Sequence, residues 1–335
     1  MRKLTFAFLL SLVPVFLSGQ LKTGYEIDVT IHGLRDSSIF LAYHYGDKQY
    51  IKDTIKLDKS GSGKVIGKED LPHGIYMIVL PGKKYFEILI SKDQYFSIEC
   101  SYNDYFGTLK FTGSDENTAF VVYQKKWLDL QQKASGIAKR VQNNKQNSDS
   151  LKILSTIQKT EEDNMKLYLK SVISANSGNL LATLVKALLP LEVPEFKVPL
   201  VTSNPDSVKW LWNYNYNKDH FFDNLDLTDE RLLRTPILYA RLEAFFTNIV
   251  IQAPDSINRE IDKIIKKCEN NYKIFQFVSV YLFNHFRESE IMGHDAVMVK
   301  LADDIYLTKK ADWVSKEFKD DLRKQVDLIR PNLIG

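Results

Sequence analysis

Two thiols and six imidazoles are the groups from which this sequence could build nucleophilic, redox or metal chemistry, and their spacing builds none of these. Cys100 and Cys268 form no CxxC pair, so the chain has no dithiol of the thioredoxin kind. Two cysteines are too few for a disulfide scaffold or a four-cysteine zinc site. Cys100 alternates with Phe96 and Ile98, and Cys268 follows Ile257, Ile261, Ile264 and Ile265 at helical spacing. Both patterns assign the thiols to hydrophobic cores. His32, His44, His73, His220, His285 and His294 include no HExxH or comparable ligand spacing. The densest polar cluster, Gly293-His294-Asp295 followed by Asp303-Asp304, reads as a solvated helix start. No GxSxG elbow occurs, and Gly61-Ser62-Gly63-Lys64 lacks phosphate-loop spacing and reads as a hairpin turn. The expectation is a chain with no catalytic residues, no metal and no cofactor.

One segment has the composition of a binding surface. Residues 210–236, WLWNYNYNKDHFFDNLDLTDERLLRTP, place six aromatic rings in the first thirteen positions, and Arg231 and Arg234 follow. Interface cores are enriched in aromatic residues and arginine. A core filled by the rings, with the arginines paired to Asp223 and Asp229, would use the same residues. The candidate surface is Trp210, Trp212, Tyr214, Phe221, Phe222, Arg231 and Arg234. Its partner would be a protein or client, or alternatively a peptide or glycan held by the aromatics of 210–222.

The elements that must position these residues fall into two groups. Up to Gly113, short alternating apolar runs are separated by turn residues: 25–32, 38–45, 49–57, 63–68, 75–80, 86–90, 95–101 and 108–111. This is the pattern of an antiparallel β-sandwich with one wet face per sheet. After Gly113 the period becomes helical. Ser114 is an N-cap candidate, and Phe120, Tyr123, Trp127 and Leu130 share one face. Residues 139–150 are polar, a frayed helix or a loop, and four prolines make 190–206 irregular. Further helices are predicted over 151–175, 179–189, 206–217, 235–252, 254–270, 272–288, 296–308 and 315–328. The predicted class is α+β in separate domains: a β-sandwich over 21–113 and an all-helical domain over 114–335.

The first twenty residues read as a leader. Met1-Arg2-Lys3 is basic, Leu4–Leu17 is apolar but too short to span a bilayer, and small residues follow at Ser18-Gly19. The chain is therefore expected to be exported to the periplasm or cell envelope, cleaved near Gly19-Gln20, with no membrane span in the mature part. Charge excludes a nucleic-acid partner: residues 21–113 carry 12 basic and 12 acidic side chains, and 114–335 carry 31 and 30.

The segment HFFDNLDLTDERLLRTP at 220–236, PDSI at 254–257, IMGHDAVMVKLADDIY at 291–306 and ADW at 311–313 resemble an uncharacterised helical domain of exported, thioredoxin-like (TlpA/ResA-type) proteins. The strand-rich start is similar to the β-domain of unknown function that commonly precedes it. Phe111-Thr112-Gly113-Ser114 with Glu116-Asn117 resembles the boundary between the two. The resemblance implies a non-catalytic accessory or binding region of a thiol–disulfide interchange system. It implies a thioredoxin-fold domain in cis or in trans as partner, and in cis that domain would begin close to Gly335. No catalytic residue carries over, because the family's CxxC lies in that domain.

Overall fold

The computed structural model describes residues 23–197, 199 and 204–333. The leader assigned to 1–20 lies outside the described residues. Among the described residues eight strands come first: β1 (Tyr25–His32), β2 (Ser38–Tyr45), β3 (Lys48–Lys56), β4 (Ser62–Gly67), β5 (Gly74–Leu80), β6 (Lys84–Ile90), β7 (Tyr95–Ser101) and β8 (Lys110–Thr112). They form two four-stranded sheets, ordered β4-β1-β7-β8 and β3-β2-β5-β6. In β1 and β7 alternate residues face inward as the sequence pattern requires, whereas β3 is exposed at every position but Ile55. Ile27, Val29 and Ile31 meet Ile39, Leu41, Ile88, Ile90, Phe96, Ile98 and Cys100 between the sheets.

Two features depart from the simple antiparallel sandwich. The β1–β7 pair is parallel, from Glu26↔Tyr95 to His32↔Ser101. Hairpin neighbours must run antiparallel, but these two strands are separated by excursions into the other sheet and are free of that constraint. The second sheet also lacks the expected wet face over its centre. In β5 every residue from Gly74 to Ile78 is buried. Ile75 and Leu89 turn away from the sandwich core and join Phe120, Tyr123, Leu180, Leu181, Leu184 and Val185. The outer face of this sheet is thus the floor on which the helices sit.

Among the described residues nine α-helices follow: α1 (Asp115–Asn143), α2 (Ser148–Ala175), α3 (Leu180–Ala187), α4 (Pro205–Asp219), α5 (Ile237–Ala244), α6 (Pro254–Cys268), α7 (Tyr272–Arg287), α8 (His294–Leu301) and α9 (Lys316–Ile329). Ser114, Asn147, Asn204, Asn271 and Ser315 cap five of them, each side chain accepting from the backbone N–H three residues on. The polar stretch 139–150 completes α1 and opens α2, leaving 144–147 as the tip of a long helical hairpin. Helices α5 to α9 close over a second core that contains Phe245, Phe246, Phe283, Phe286 and Cys268. Among the described residues, no helix is long and apolar enough to cross a membrane.

Specific polar groups join the two parts. Asn117 accepts from the Leu89 N–H at 2.7 Å and donates to the Leu89 carbonyl at 2.8 Å, taking the place of a strand neighbour at the free edge of β6. The Glu116 carboxylate accepts from the Leu181 N–H, 2.9 Å away at the start of α3, and from the Ser91 hydroxyl. Further along, the β2–β3 turn meets the helices closely. The Gly46 N–H donates to the Leu233 carbonyl at 3.1 Å, and a Cβ on Gly46 would lie 2.8 Å from the Phe277 ring. A Cβ on Gly74 would lie 2.2 Å from that of Arg234.

Candidate functional site

Both thiols lie deep in separate cores, Cys100 between the sheets and Cys268 among the helices. Burial pushes each thiol up to about 12, so neither is a thiolate near neutral pH. Among the described residues, no group of three or more His, Cys, Asp and Glu side chains could hold a metal ion. His294 corrects the expectation of a solvated helix start: it is 1 % exposed, edge-on to Phe286 at 5.2 Å. Its Nδ1 lies 2.8 Å from the Ser289 hydroxyl, and its Nε2 has no hydrogen-bond partner among the described residues. The imidazole of this Ser–His pair is enclosed, whereas Ser289 is half-buried.

The seven residues of the candidate surface separate into four places. Helix α4 carries Trp210, Trp212 and Tyr214, the first and last in one stack and Trp212 in another, and none of its residues is buried. Its rings recur every fourth position and stack. Phe196–Trp212, Trp212–Tyr216 and Tyr216–His220 centroids are 4.8, 5.2 and 4.2 Å apart, and Trp210–Tyr214 are 5.6 Å apart. Tyr214 Oη donates to the Ile249 carbonyl at 2.9 Å and ties this face to the core. Trp210 is 66 % exposed and Leu211 52 %. With Asp206 and Ser207 they line a shallow, open concavity of about 600 Å³.

The other four residues hold the fold. Phe221 and Phe222 close on Phe245 at 5.2 and 5.0 Å, Phe222 within the helical core. Arg231 pairs with Asp229 at 2.6 Å and donates to Thr183 Oγ1 at 2.9 Å. Arg234 lies over the rings of Tyr43 and Tyr45, 5.8 and 6.0 Å from their centroids, at the seam between strands and helices.

That seam holds a site the sequence pattern missed. A cleft of about 550 Å³ opens between the β2–β3 hairpin, which supplies Tyr45, Asp47, Lys48 and Tyr50, and helices α5 and α7. The helical wall includes Tyr239, Phe277, Tyr281 and His285, with Glu288 at its end. Tyr281 is 8 % exposed, and its hydroxyl has no partner among the described residues. Tyr239 meets it edge-on at 5.3 Å and His285 stacks on it at 5.6 Å. Burial raises the Tyr239 hydroxyl above the ordinary tyrosine range, and the carboxylates of Glu243, Asp47 and Glu288 push it further. Burial lowers His285, with His294 adding to the effect against the pull of Glu243. The one local signal was the i, i+4, i+8 spacing of Phe277, Tyr281 and His285 on a single face of α7. The facing hairpin is over two hundred residues away in sequence, and nothing local announces it.

Comparison with known families finds two matches. Residues 142–332 match Domain of unknown function (DUF5106), and residues 25–120 match Domain of unknown function (DUF4369). The second match runs past β8 into the first turns of α1, the segment that carries Glu116, Asn117 and Phe120. No curated protein and no solved structure matches the chain.

Proposed function

The chain belongs to the DUF5106 family, and from its architecture we propose that it is a non-catalytic, partner-binding region of an exported, cell-envelope thiol–disulfide system. The observation that carries this reading is the contrast between its thiols and its aromatics. Cys100 and Cys268 are enclosed and held protonated, while α4 leaves Trp210 and Leu211 in solvent on a helix without one buried residue. A large exposed indole beside an exposed leucine is what a docking partner covers with profit in apolar area. The chain's thiols supply no redox step in this reading. Such a step belongs to a thioredoxin-fold domain, in cis or in trans, that docks on the α4 face. The likeness of 220–236 and 291–306 to the helical domain of thioredoxin-like proteins supports that choice of partner. Its test is the coding sequence beyond Gly335 and its neighbours, followed by binding of the thioredoxin-fold domain found there. Absence of any such domain would remove the redox half of the proposal.

A second reading, a free-standing binder of peptides or glycans, draws on the same exposed Trp210 and the concavity beside it. Titration of the indole fluorescence with oligosaccharides and unstructured peptides separates the two. A saturable response abolished by Trp210→Ala favours this second reading.

A further inference from the structure

The seam cleft is a built pocket, and α4 contributes nothing to it, so its role is independent of partner docking. Its volume of about 550 Å³ suits a ligand of modest size rather than a folded partner. Three observations describe its chemistry. The walls are aromatic: Tyr45 and Tyr50 from the hairpin face Tyr239, Phe277 and Tyr281 from the helices. The lining carries a slight negative excess: Asp47 and Glu288 face one lining cation, Lys48. Just outside the lining, Glu243 acts on both Tyr239 and Tyr281, while Arg234 lies over the Tyr45 ring and Arg287 beside Glu288. Among the described residues neither Asp47 nor Glu243 is in an ion pair, and Glu288 has only Arg287, 3.4 Å away on the same helix end. Finally, the buried Tyr281 hydroxyl lacks a hydrogen-bond partner among the described residues. A buried hydroxyl without a partner is costly, and a ligand that supplies one removes that cost.

We propose that this cleft binds an organic cation, an ammonium or guanidinium group on an apolar stem. The stem lies against Tyr45, Tyr50 and Tyr239, whose ring faces attract positive charge. Asp47 and Glu288 take the cationic head, and the Tyr281 hydroxyl accepts one of its N–H groups. A neutral sugar would use the rings but would leave the excess of carboxylates unneutralised. A free amine and the side chain of a basic peptide present the same chemistry, so the site's specificity is for the group and not for its carrier.

Isothermal titration of the full chain with agmatine, with N-acetyl-arginine amide and with maltose tests this. Agmatine or the capped arginine is expected to bind, and whichever binds more tightly identifies the carrier. The double variant Asp47→Asn, Glu288→Gln, altered only at exposed side chains, should weaken that binding by about tenfold or more. Tyr281→Phe should weaken it several-fold while leaving the melting temperature unchanged or raised, because it deletes a buried hydroxyl with no hydrogen-bond partner among the described residues. Trp210→Ala should leave it untouched, which separates this site from the docking face. Absence of heat from both cations up to about 10 mM, or maltose binding that the double variant does not alter, would overturn the proposal.

Discussion

Asn117 closes the free edge of β6 with a side-chain amide, donating and accepting at Leu89 where a further strand would otherwise pair. It is 1 % exposed, so removing it strands a backbone N–H and a carbonyl away from water. Each orphaned group costs about 1–3 kcal/mol. Asn117→Ala should therefore lower the unfolding free energy by on the order of 2 kcal/mol or more in urea titration, and a loss below about 0.5 kcal/mol would show that the latch carries no load. The two thiols set an alkaline limit in a different way. Their folded values near 12 lie above the ordinary thiol value of 9.0, so the folded chain keeps protons that the unfolded chain sheds. This contribution is intact below pH 9 and is lost as pH rises from 9 towards 12, at up to about 1 kcal/mol per pH unit for each thiol. Urea midpoints should fall between about pH 9 and 10.5, and the fall should flatten in a Cys100→Ala, Cys268→Ala double variant. An unchanged slope in that variant would contradict the burial of the thiols as its cause.

The elements show which contacts local sequence could encode. The strand runs, the helical period after Gly113 and the Ser114 cap were legible because each depends on residues within one or two turns of chain. The parallel β1–β7 pair, the doubly covered β5 and the seam cleft were not, because each is a meeting of segments far apart in sequence. His294 misled for the same reason: its polar neighbours in sequence gave no hint that Phe286 would cover it. Of the candidate surface, the ring spacing in α4 was readable, but not which rings would stay outside. Phe222 and Trp210 look alike in sequence, and one is core while the other is exposed. Two glycines give a direct contrast at this scale. Gly46 has φ of 61° and its missing Cβ would press on Phe277, whereas Gly136 lies in α1 with nothing within 4 Å of the position. Gly46→Ala should destabilise by about 1–2 kcal/mol through left-handed strain and contact. Gly136→Ala should stabilise by about 0.5–1 kcal/mol by raising helix propensity. Thermal melts of the two variants should shift in opposite directions, and a stabilising Gly46→Ala would mean that the β2–β3 turn does not seat against α7.

At the scale of the whole molecule, a sandwich and a helical layer share one buried sheet. The sheet floor under α1 and α3 holds the parts together, the seam makes a cleft, and α4 stands outside with its indole uncovered. Near-balanced charge in both parts leaves apolar and aromatic area as the main currency of association. In the proposed arrangement α4 docks a thioredoxin-fold domain while the chain's own thiols stay silent. Its most direct test is a binding isotherm for the thioredoxin-fold domain encoded beyond Gly335 or beside this reading frame, run against the native chain and against Trp210→Ala, Leu211→Ala. Both substitutions lie on exposed positions and should leave folding stability within about 0.5 kcal/mol of the native value. Binding to the native chain should be saturable and should weaken by about tenfold or more in the double variant. Equal affinity for the two proteins, or no binding to either, would contradict it.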